Sequence, residues 1–350
     1  MRTTRISAAT RALRSTSLPA RHANRTFATS SRLQDTYGFI GLGRMGYPMA
    51  KNLRTKIPAS DTIFVHDVNP TVCEQFASEF KGVTAAKTVR EVAENSETII
   101  TVLPEPHHVQ NVFLEMLHPP TLLTEGPVKK ERLFIDCSTI DPKSSGDVAE
   151  ATRCSGQGQF VDAPMSGGVV GASAGALTFM MGAAPELVDR TKAVLDMMGK
   201  RVVHLGPQTA GLKGKLANNY LLALTNIATA EAMNMGVKWG LDAKALADMI
   251  NTATGRCWPS EVNNPVPGVI ENSPASKGYE GGFGTALMLK DLKLAMQAAT
   301  EAGILPELGM HAKDIYSAIE GHEELKGKDF SVVYRYIGGK NTDKLEGLKA

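Results

Sequence analysis

A glycine-rich turn lies between the first apolar segment of this chain and the first helical one. Residues 37–42 read YGFIGL, a short and uninterrupted apolar run of the kind that forms a buried strand. A helical pattern follows the turn and continues to about residue 56. A strand, a glycine turn and a helix in this order predict the opening unit of a doubly wound α/β domain. The turn itself consists of Gly41, Leu42, Gly43, Arg44, Met45 and Gly46.

The same turn indicates a dinucleotide site. Gly41 permits a tight turn, Gly43 lets a pyrophosphate approach the backbone, and Gly46 allows close packing of helix on strand. Asp67 ends the next predicted strand, TIFVHD, where a carboxylate can accept hydrogen bonds from ribose hydroxyls and repel a 2′-phosphate. No arginine occurs in residues 67–70, so we predict NAD rather than NADP as the cofactor. The alternative is a glycine turn and an exposed aspartate that bind no ligand.

The order of elements predicts the fold class and the domains. Apolar runs with helical or polar segments between them continue as far as residue 206, which predicts a Rossmann-type, mostly parallel sheet with helices on both faces. From about residue 212 to 319 the sequence is helical only. We therefore expect an NAD-binding domain in residues 35–207 and a helical domain in 208–350, opened by a long inter-domain helix. The later strands are predicted at 98–104, 133–138, 159–164, 177–182 and 202–206.

The first 34 residues have the composition of a mitochondrial transit peptide. They contain seven arginines, many Ser and Thr residues and no acidic residue, and they lack the apolar core of a secretory signal. The alternative is a basic tail without a targeting role. Subtracting these seven charges from the net charge of +2 leaves −5 for the remainder, which does not favour nucleic acid as a partner.

Composition also argues against metal, disulfide and membrane roles. The four cysteines are far apart and form no CxxC pair, so we predict neither a disulfide framework nor a zinc site, and no metal. Residues 216–237 form the longest apolar run, but asparagines and a glutamate interrupt it. We expect a buried helix of a soluble domain there, and no membrane partner.

Two segments carry candidate chemistry for hydride transfer from an alcohol. Lys215 and Asn219 lie one helical turn apart near the start of the long helix, with Asn218 beside them. A lysine in an apolar setting can have a pKa low enough to accept a hydroxyl proton, although a surface lysine at a helix start is the plainer interpretation. The segment DAPMSGG, residues 162–168, follows a predicted strand and offers a hydroxyl and bare amides for a carboxylate.

Together these segments resemble the β-hydroxyacid dehydrogenases from about residue 37 to 336. The motifs are FIGLGRMGYPMAKNL, DAPMSGGVVGASAGALTFMMG and GLKGKLANN, followed by GRCWPSEVNNPVPGV, GGFGTALMLKDL and KDFSVV. The resemblance implies that Lys215 is the catalytic acid/base. It also implies that Ser166, Gly167, Gly168 and Asn219 bind substrate. The cofactor residues that it implies, together with those of the glycine turn, are Gly41, Leu42, Gly43, Arg44, Met45, Gly46, Asp67, Val68, Leu103, Pro104, Thr139 and Lys290.

The resemblance further implies a small 3-hydroxy acid as substrate, with 3-hydroxyisobutyrate expected first because of the GRCWPSEVNNPVPG segment. We expect a step of valine catabolism in the mitochondrial matrix, and a homodimer or homotetramer. The alternatives are a related reductase of tartronate, succinic or glyoxylic semialdehyde and, from another class, a non-catalytic dinucleotide-binding scaffold. Among the departures from the family pattern, His108 stands where an asparagine near the nicotinamide is expected.

Overall fold

Strands and helices alternate through the first half of the chain, in a computed structural model that describes residues 35–118 and 131–340. Residues 1–34, which we predict to be a transit peptide, lie outside this part. The described strands all belong to one sheet. They are β1 (Thr36–Ile40), β2 (Thr62–His66), β3 (Val83–Ala85), β4 (Thr98–Thr101), β5 (Arg132–Asp136), β6 (Gly158–Asp162), β7 (Met165–Ser166), β8 (Leu177–Gly182) and β9 (Gly199–Gly206).

The strand order defines a doubly wound sheet. It runs β3-β2-β1-β4-β5-β6-β8-β7, with β9 paired to β8, and every pair from β3 to β6 is parallel. The chain reverses its direction of winding between β1 and β4, which is where such sheets open a crevice for a ligand. Strands β4 and β5 are buried along almost their whole length because helices cover both faces. The predicted Rossmann-type fold is confirmed.

Three features of the sheet differ from the expectation or add to it. Strand β8 pairs antiparallel to β6 and β7, a direction that its apolar pattern did not reveal. Strands β3 and β7 were not predicted because three and two residues are too few to show a period. Strand β9 begins at Gly199, earlier than the apolar run that predicted it.

The helices begin where capping residues favour them. Asn69, Thr88 and Asp141 each accept a hydrogen bond from a first-turn amide of the helix that follows. The helices are α1 (Gly46–Lys56), α2 (Pro70–Glu79), α3 (Val89–Asn95), α4 (Pro106–Leu117), α5 (Pro142–Ser155), α6 (Gly168–Ser173), α7 (Val188–Leu195), α8 (Ala210–Lys238), α9 (Ala243–Thr252), α10 (Trp258–Glu261), α11 (Thr285–Glu301), α12 (Glu307–Glu320) and α13 (Val333–Tyr336).

The long helix α8 begins the helical half of the chain. All the described strands precede it, and α9–α13 follow it. Helix α8 has 29 residues and packs on α11, α12 and α13 around a core that includes Tyr316, Phe330 and Tyr334. Within the described residues, no helix is both long and apolar enough to span a membrane.

Candidate active site

The glycine turn between β1 and α1 has the shape that the sequence predicts. Gly41 adopts a φ of 96°, in the left-handed region, and a Cβ atom there would overlap the carbonyl oxygen of Val102. A Cβ atom at Gly46 would overlap the carbonyl oxygen of Gly41. A Cβ atom at Gly43 would meet no described atom within 4 Å. The fold therefore requires Gly41 and Gly46, whereas Gly43 leaves the loop backbone open, as a pyrophosphate site needs.

Asp67 lies beside this turn. Its Oδ2 atom accepts a hydrogen bond of 2.7 Å from the backbone amide of Leu42, and its Oδ1 atom accepts one of 2.9 Å from the amide of Asn69. Val68 follows it and is 97% exposed. Both Gly43 and Arg44 are exposed at the same edge of the sheet. An open turn, a helix N-terminus and an adjacent acid fit the phosphates and ribose of a dinucleotide.

The loops that leave β4 and β5 meet at the edge where the winding reverses. The backbone amide of Leu103 donates a 2.8 Å hydrogen bond to the Ser138 hydroxyl. The Lys290 ammonium, on α11, donates to the carbonyl oxygens of Pro104 and Thr139 at 3.0 and 2.8 Å. Lys290 therefore connects the helical half of the chain to both loops. In the described structure, Lys290 holds the two loops together through these hydrogen bonds. Its contact with the cofactor is a separate prediction.

Lys215 lies on the buried face of α8 and is only 7% exposed. Burial lowers the pKa of the Lys215 ammonium, the nearby Asp291 carboxyl raises it, and Lys290 lowers it. The Asn219 side chain, one turn further along α8, donates a 2.7 Å hydrogen bond to Asp291 Oδ2. The structure thus brings together Lys215 and Asn219, as the helical spacing predicts. A buried amine with a lowered pKa gives up and takes up a proton more readily than an exposed lysine.

Asp291 is the residue of this group that sequence reasoning missed. It lies on α11 among the buried residues Met288, Leu292 and Ala295. Burial raises the pKa of the Asp291 carboxyl, while Lys215, Lys290 and the hydrogen bond from Asn219 lower it. The sequence feature that could have identified Asp291 is an acid within the apolar stripe of an amphipathic helix, because an acid is rarely buried there without a partner.

Asp162 fixes the start of the helix that carries Lys215. It ends β6, and its two carboxylate oxygens accept hydrogen bonds from the amides of Thr209 at 2.7 Å and Leu212 at 2.8 Å. Burial raises the pKa of Asp162 to about 6, although these two hydrogen bonds lower it. The acid therefore satisfies backbone amide donors at the start of α8 and links the strand before the Ser-Gly-Gly loop to the helix that carries Lys215.

The Ser-Gly-Gly loop follows directly. Ser166 ends β7, and Gly167 and Gly168 adopt φ values of 135° and 61°, which favour glycine. A Cβ atom at Gly168 would meet no described atom within 4 Å. The Asn52 side chain of α1 donates a 2.8 Å hydrogen bond to the carbonyl oxygen of Ala172, in α6. This contact holds the predicted substrate loop against the helix that begins at the glycine turn.

His108 lies in the first turn of α4, which follows the loop after β4. It is exposed, and its ring packs against that of His107 with a centroid distance of 3.9 Å. Among the described residues, no cluster of three or more His, Cys, Asp or Glu side chains could hold a metal ion.

The three later motifs converge on one buried acid, Asp329. Its Oδ1 atom accepts a 3.1 Å hydrogen bond from the Asn263 side chain, and its Oδ2 atom accepts one of 2.8 Å from the amide of Phe283. Gly284, the N-cap residue of α11, also forms a bridge with Asp329. The segments GRCWPSEVNNPVPGV, GGFGTALMLKDL and KDFSVV therefore brace the start of the helix that carries Lys290 and Asp291.

Two family models together match most of the described chain. Residues 36–206 match the family model described as the NAD-binding domain of 6-phosphogluconate dehydrogenase. Residues 209–337 match the model described as NAD-binding of NADP-dependent 3-hydroxyisobutyrate dehydrogenase. Fold and site together define a nicotinamide-dinucleotide-dependent dehydrogenase with a Rossmann-type sheet and a helical second half.

Relatives identify the family within that class. The mitochondrial 3-hydroxyisobutyrate dehydrogenase of Mus musculus is 43% identical over 302 residues, or 86% of each chain. That of Drosophila melanogaster is 42% identical over 297 residues, covering 85% of this chain and 87% of the relative. A solved structure of the Mycobacterium tuberculosis 3-hydroxyisobutyrate dehydrogenase with L-serine superposes with a TM-score of 0.79 at 36% identity, covering 88% and 100% of the two chains. The chain belongs to the 3-hydroxyisobutyrate dehydrogenase family.

This result confirms the resemblance to the β-hydroxyacid dehydrogenases, the oxidoreductase class and a nicotinamide dinucleotide cofactor. The names of both animal relatives include the word mitochondrial, which supports a mitochondrial location. The roles of individual site residues stay predictions.

Proposed function

We propose that this protein catalyses the NAD-dependent oxidation of 3-hydroxyisobutyrate to methylmalonate semialdehyde. The observation that carries the proposal is the buried Lys215, with its lowered pKa, on the same buried cluster as Asn219 and Asp291. Lys290, the neighbour of Asp291, reaches the two loops at the predicted cofactor edge. A proton acceptor and a dinucleotide site at one junction are what alcohol oxidation requires.

In this proposal each group has one task. Bound NAD supplies the hydride acceptor. Ser166 and the open backbone of Gly167 and Gly168 bind the substrate carboxylate, and Lys215 accepts the proton of the C3 hydroxyl. Asn219 orients the reacting group while its own amide is held by Asp291. Fixing both ends of a small acid reduces the freedom that a reactive geometry would otherwise cost.

Lys215 fits the role of base because its surroundings oppose a permanent charge. Burial favours the neutral amine and lowers the pKa of Lys215, whereas the nearby Asp291 carboxyl raises this pKa. Once Lys215 has taken the hydroxyl proton, the resulting ammonium lies near a carboxylate that stabilises it. The same pair returns the proton when the reaction runs towards the alcohol.

Asp67 supports NAD over NADP. Its carboxylate already accepts hydrogen bonds from Leu42 and Asn69, which hold it at the edge of the glycine turn. A fixed negative charge there favours ribose hydroxyls and repels a 2′-phosphate. The exposed side chain of Val68 is available to the adenine side of the ligand.

We further propose the organisation and setting of the chain. Residues 1–34 form a mitochondrial transit peptide, residues 35–207 the NAD-binding domain, and residues 208–350 the helical substrate and association domain. The enzyme works in the mitochondrial matrix as a step of valine catabolism. Large exposed apolar side chains near the end of α8 and on α9, among them Trp239 at 74% exposure and Met249, support association into a homodimer or homotetramer.

A substrate panel tests the proposal. NAD reduction is measured with 3-hydroxyisobutyrate, 3-hydroxypropionate, serine and glycerate at equal concentrations. We expect the highest kcat/KM for 3-hydroxyisobutyrate. Equal values for all four acids, or faster reduction of tartronate, succinic or glyoxylic semialdehyde, would contradict the assignment and favour a related semialdehyde reductase.

A further inference from the structure

Asp136, the last residue of β5, is completely buried beneath the loops of the predicted cofactor edge. We propose that Asp136 is a positioning residue: it orients the Ser138 hydroxyl, and this hydroxyl in turn holds the Leu103 amide and the loop that lines the cofactor. The inference rests on the proposed NAD site and concerns the buried residues that support its loops. Neither the family signature nor the sequence patterns assigned Asp136 a role.

One carboxylate oxygen of Asp136 accepts all the hydrogen bonds that its side chain makes with described residues. Oδ1 accepts from the Thr101 hydroxyl at 2.7 Å, from the Ser138 hydroxyl at 2.6 Å and from the Ser138 amide at 3.2 Å. The other oxygen, Oδ2, is buried and has no hydrogen-bond partner among the described residues. The side chain thus acts as a fixed acceptor at a single atom.

This acceptor determines how the Ser138 hydroxyl points. Because that hydroxyl donates its only proton to Asp136, its lone pairs are left for the Leu103 amide, which donates to it at 2.8 Å. The bond joins the loop after β4 to the loop after β5. Lys290 joins the same two loops through the carbonyl oxygens of Pro104 and Thr139. Two separate contacts therefore hold these loops together.

Burial and hydrogen bonding act on the charge of Asp136 in opposite directions. Burial raises the pKa of the Asp136 carboxyl, although hydrogen bonds from Ser138 and Thr101 lower it. A second buried acid, Asp162, lies opposite it in register on β6. An asparagine at position 136 would keep the accepting oxygen and would replace only the oxygen that makes no bond. Rescue by asparagine is therefore the signature of a positioning acceptor.

The test compares three variants of the full chain. Ser138→Ala removes the link to Leu103, and Asp136→Asn keeps the accepting oxygen. Ser96→Ala is the matched control, because Ser96 is also a buried serine but lies before β4, at the opposite end of the strand, and its hydroxyl has no partner in the described part of the chain. The Kd for NADH is measured by fluorescence titration, alongside the melting temperature.

We expect Ser138→Ala to weaken NADH binding about fivefold, the factor that corresponds to one typical hydrogen bond. Asp136→Asn and Ser96→Ala should each bind NADH within about twofold of the wild type. Unchanged NADH affinity in Ser138→Ala, even with a lowered melting temperature, would overturn the proposal. So would an equal loss of affinity in Asp136→Asn. Failure of the wild-type protein to bind NADH would instead contradict the proposed NAD site.

Discussion

The cap of α8 makes a quantitative prediction about pH and stability. The pKa of Asp162 is raised to about 6 in the folded protein, from an ordinary value of 3.8. Between these two values the folded state binds more protons at this site than the unfolded state, so the free energy of unfolding falls as the pH rises. The total decrease is about 3 kcal/mol, because one pKa unit is about 1.4 kcal/mol. Of this decrease in the free energy of unfolding, about 1.4 kcal/mol occurs between pH 5 and pH 7.5.

Asp162→Asn removes this titration and should remove the decrease. Urea unfolding is measured at about pH 5 and about pH 7.5 for the wild type and the variant, and the pH-dependent change of the variant is subtracted from that of the wild type. This subtraction cancels the other titrating groups. The wild type should lose about 1.4 kcal/mol more than Asp162→Asn between the two pH values.

The control is Asp147→Asn, which removes an exposed acid of the same sheet domain. Its pH dependence should match that of the wild type. Identical pH dependence in the wild type and Asp162→Asn, or a wild-type protein that gains stability relative to this variant as the pH rises, would refute the assigned pKa and its cause.

Three further predictions concern the cofactor and the base. Asp67→Ser should raise KM for NAD about tenfold and lower the preference for NAD over NADP, which steady-state kinetics with both cofactors would detect. Asp291→Asn should lower the pKa of Lys215, so the rise of kcat/KM for oxidation moves to lower pH; a profile that stays in place would exclude the interaction. Gly43→Ala should keep the wild-type melting temperature within about 1 °C but weaken NADH binding about tenfold, whereas Gly46→Ala should lower the melting temperature because its Cβ overlaps the turn backbone. Equal melting temperatures for the two variants would contradict these assignments.

The glycine turn could be predicted from sequence because its parts are close together along the chain. A strand, three glycines and a helix within about twenty residues make a local pattern, and helical spacing alone places Lys215 and Asn219 on one face. The parallel core was also accessible, since buried strands show as continuous apolar runs.

The contacts that complete the site could not be predicted in this way. Asp291 is 72 positions from Asn219, and Asp162 is 50 positions from Leu212. No local pattern records which distant polar groups will meet once the sheet and the helices pack. The antiparallel direction of β8 was hidden for the same reason, because an apolar run has the same appearance in either direction.

The most direct test of the central claim is the activity of Lys215→Ala with 3-hydroxyisobutyrate and NAD. The account predicts a fall in kcat of about 10²- to 10⁴-fold, with NADH affinity within about twofold of the wild type. Lys213→Ala is the control, because Lys213 lies on the same helix with its side chain exposed, and it should retain wild-type turnover. Substantial turnover in Lys215→Ala would contradict the claim that this lysine accepts the substrate proton.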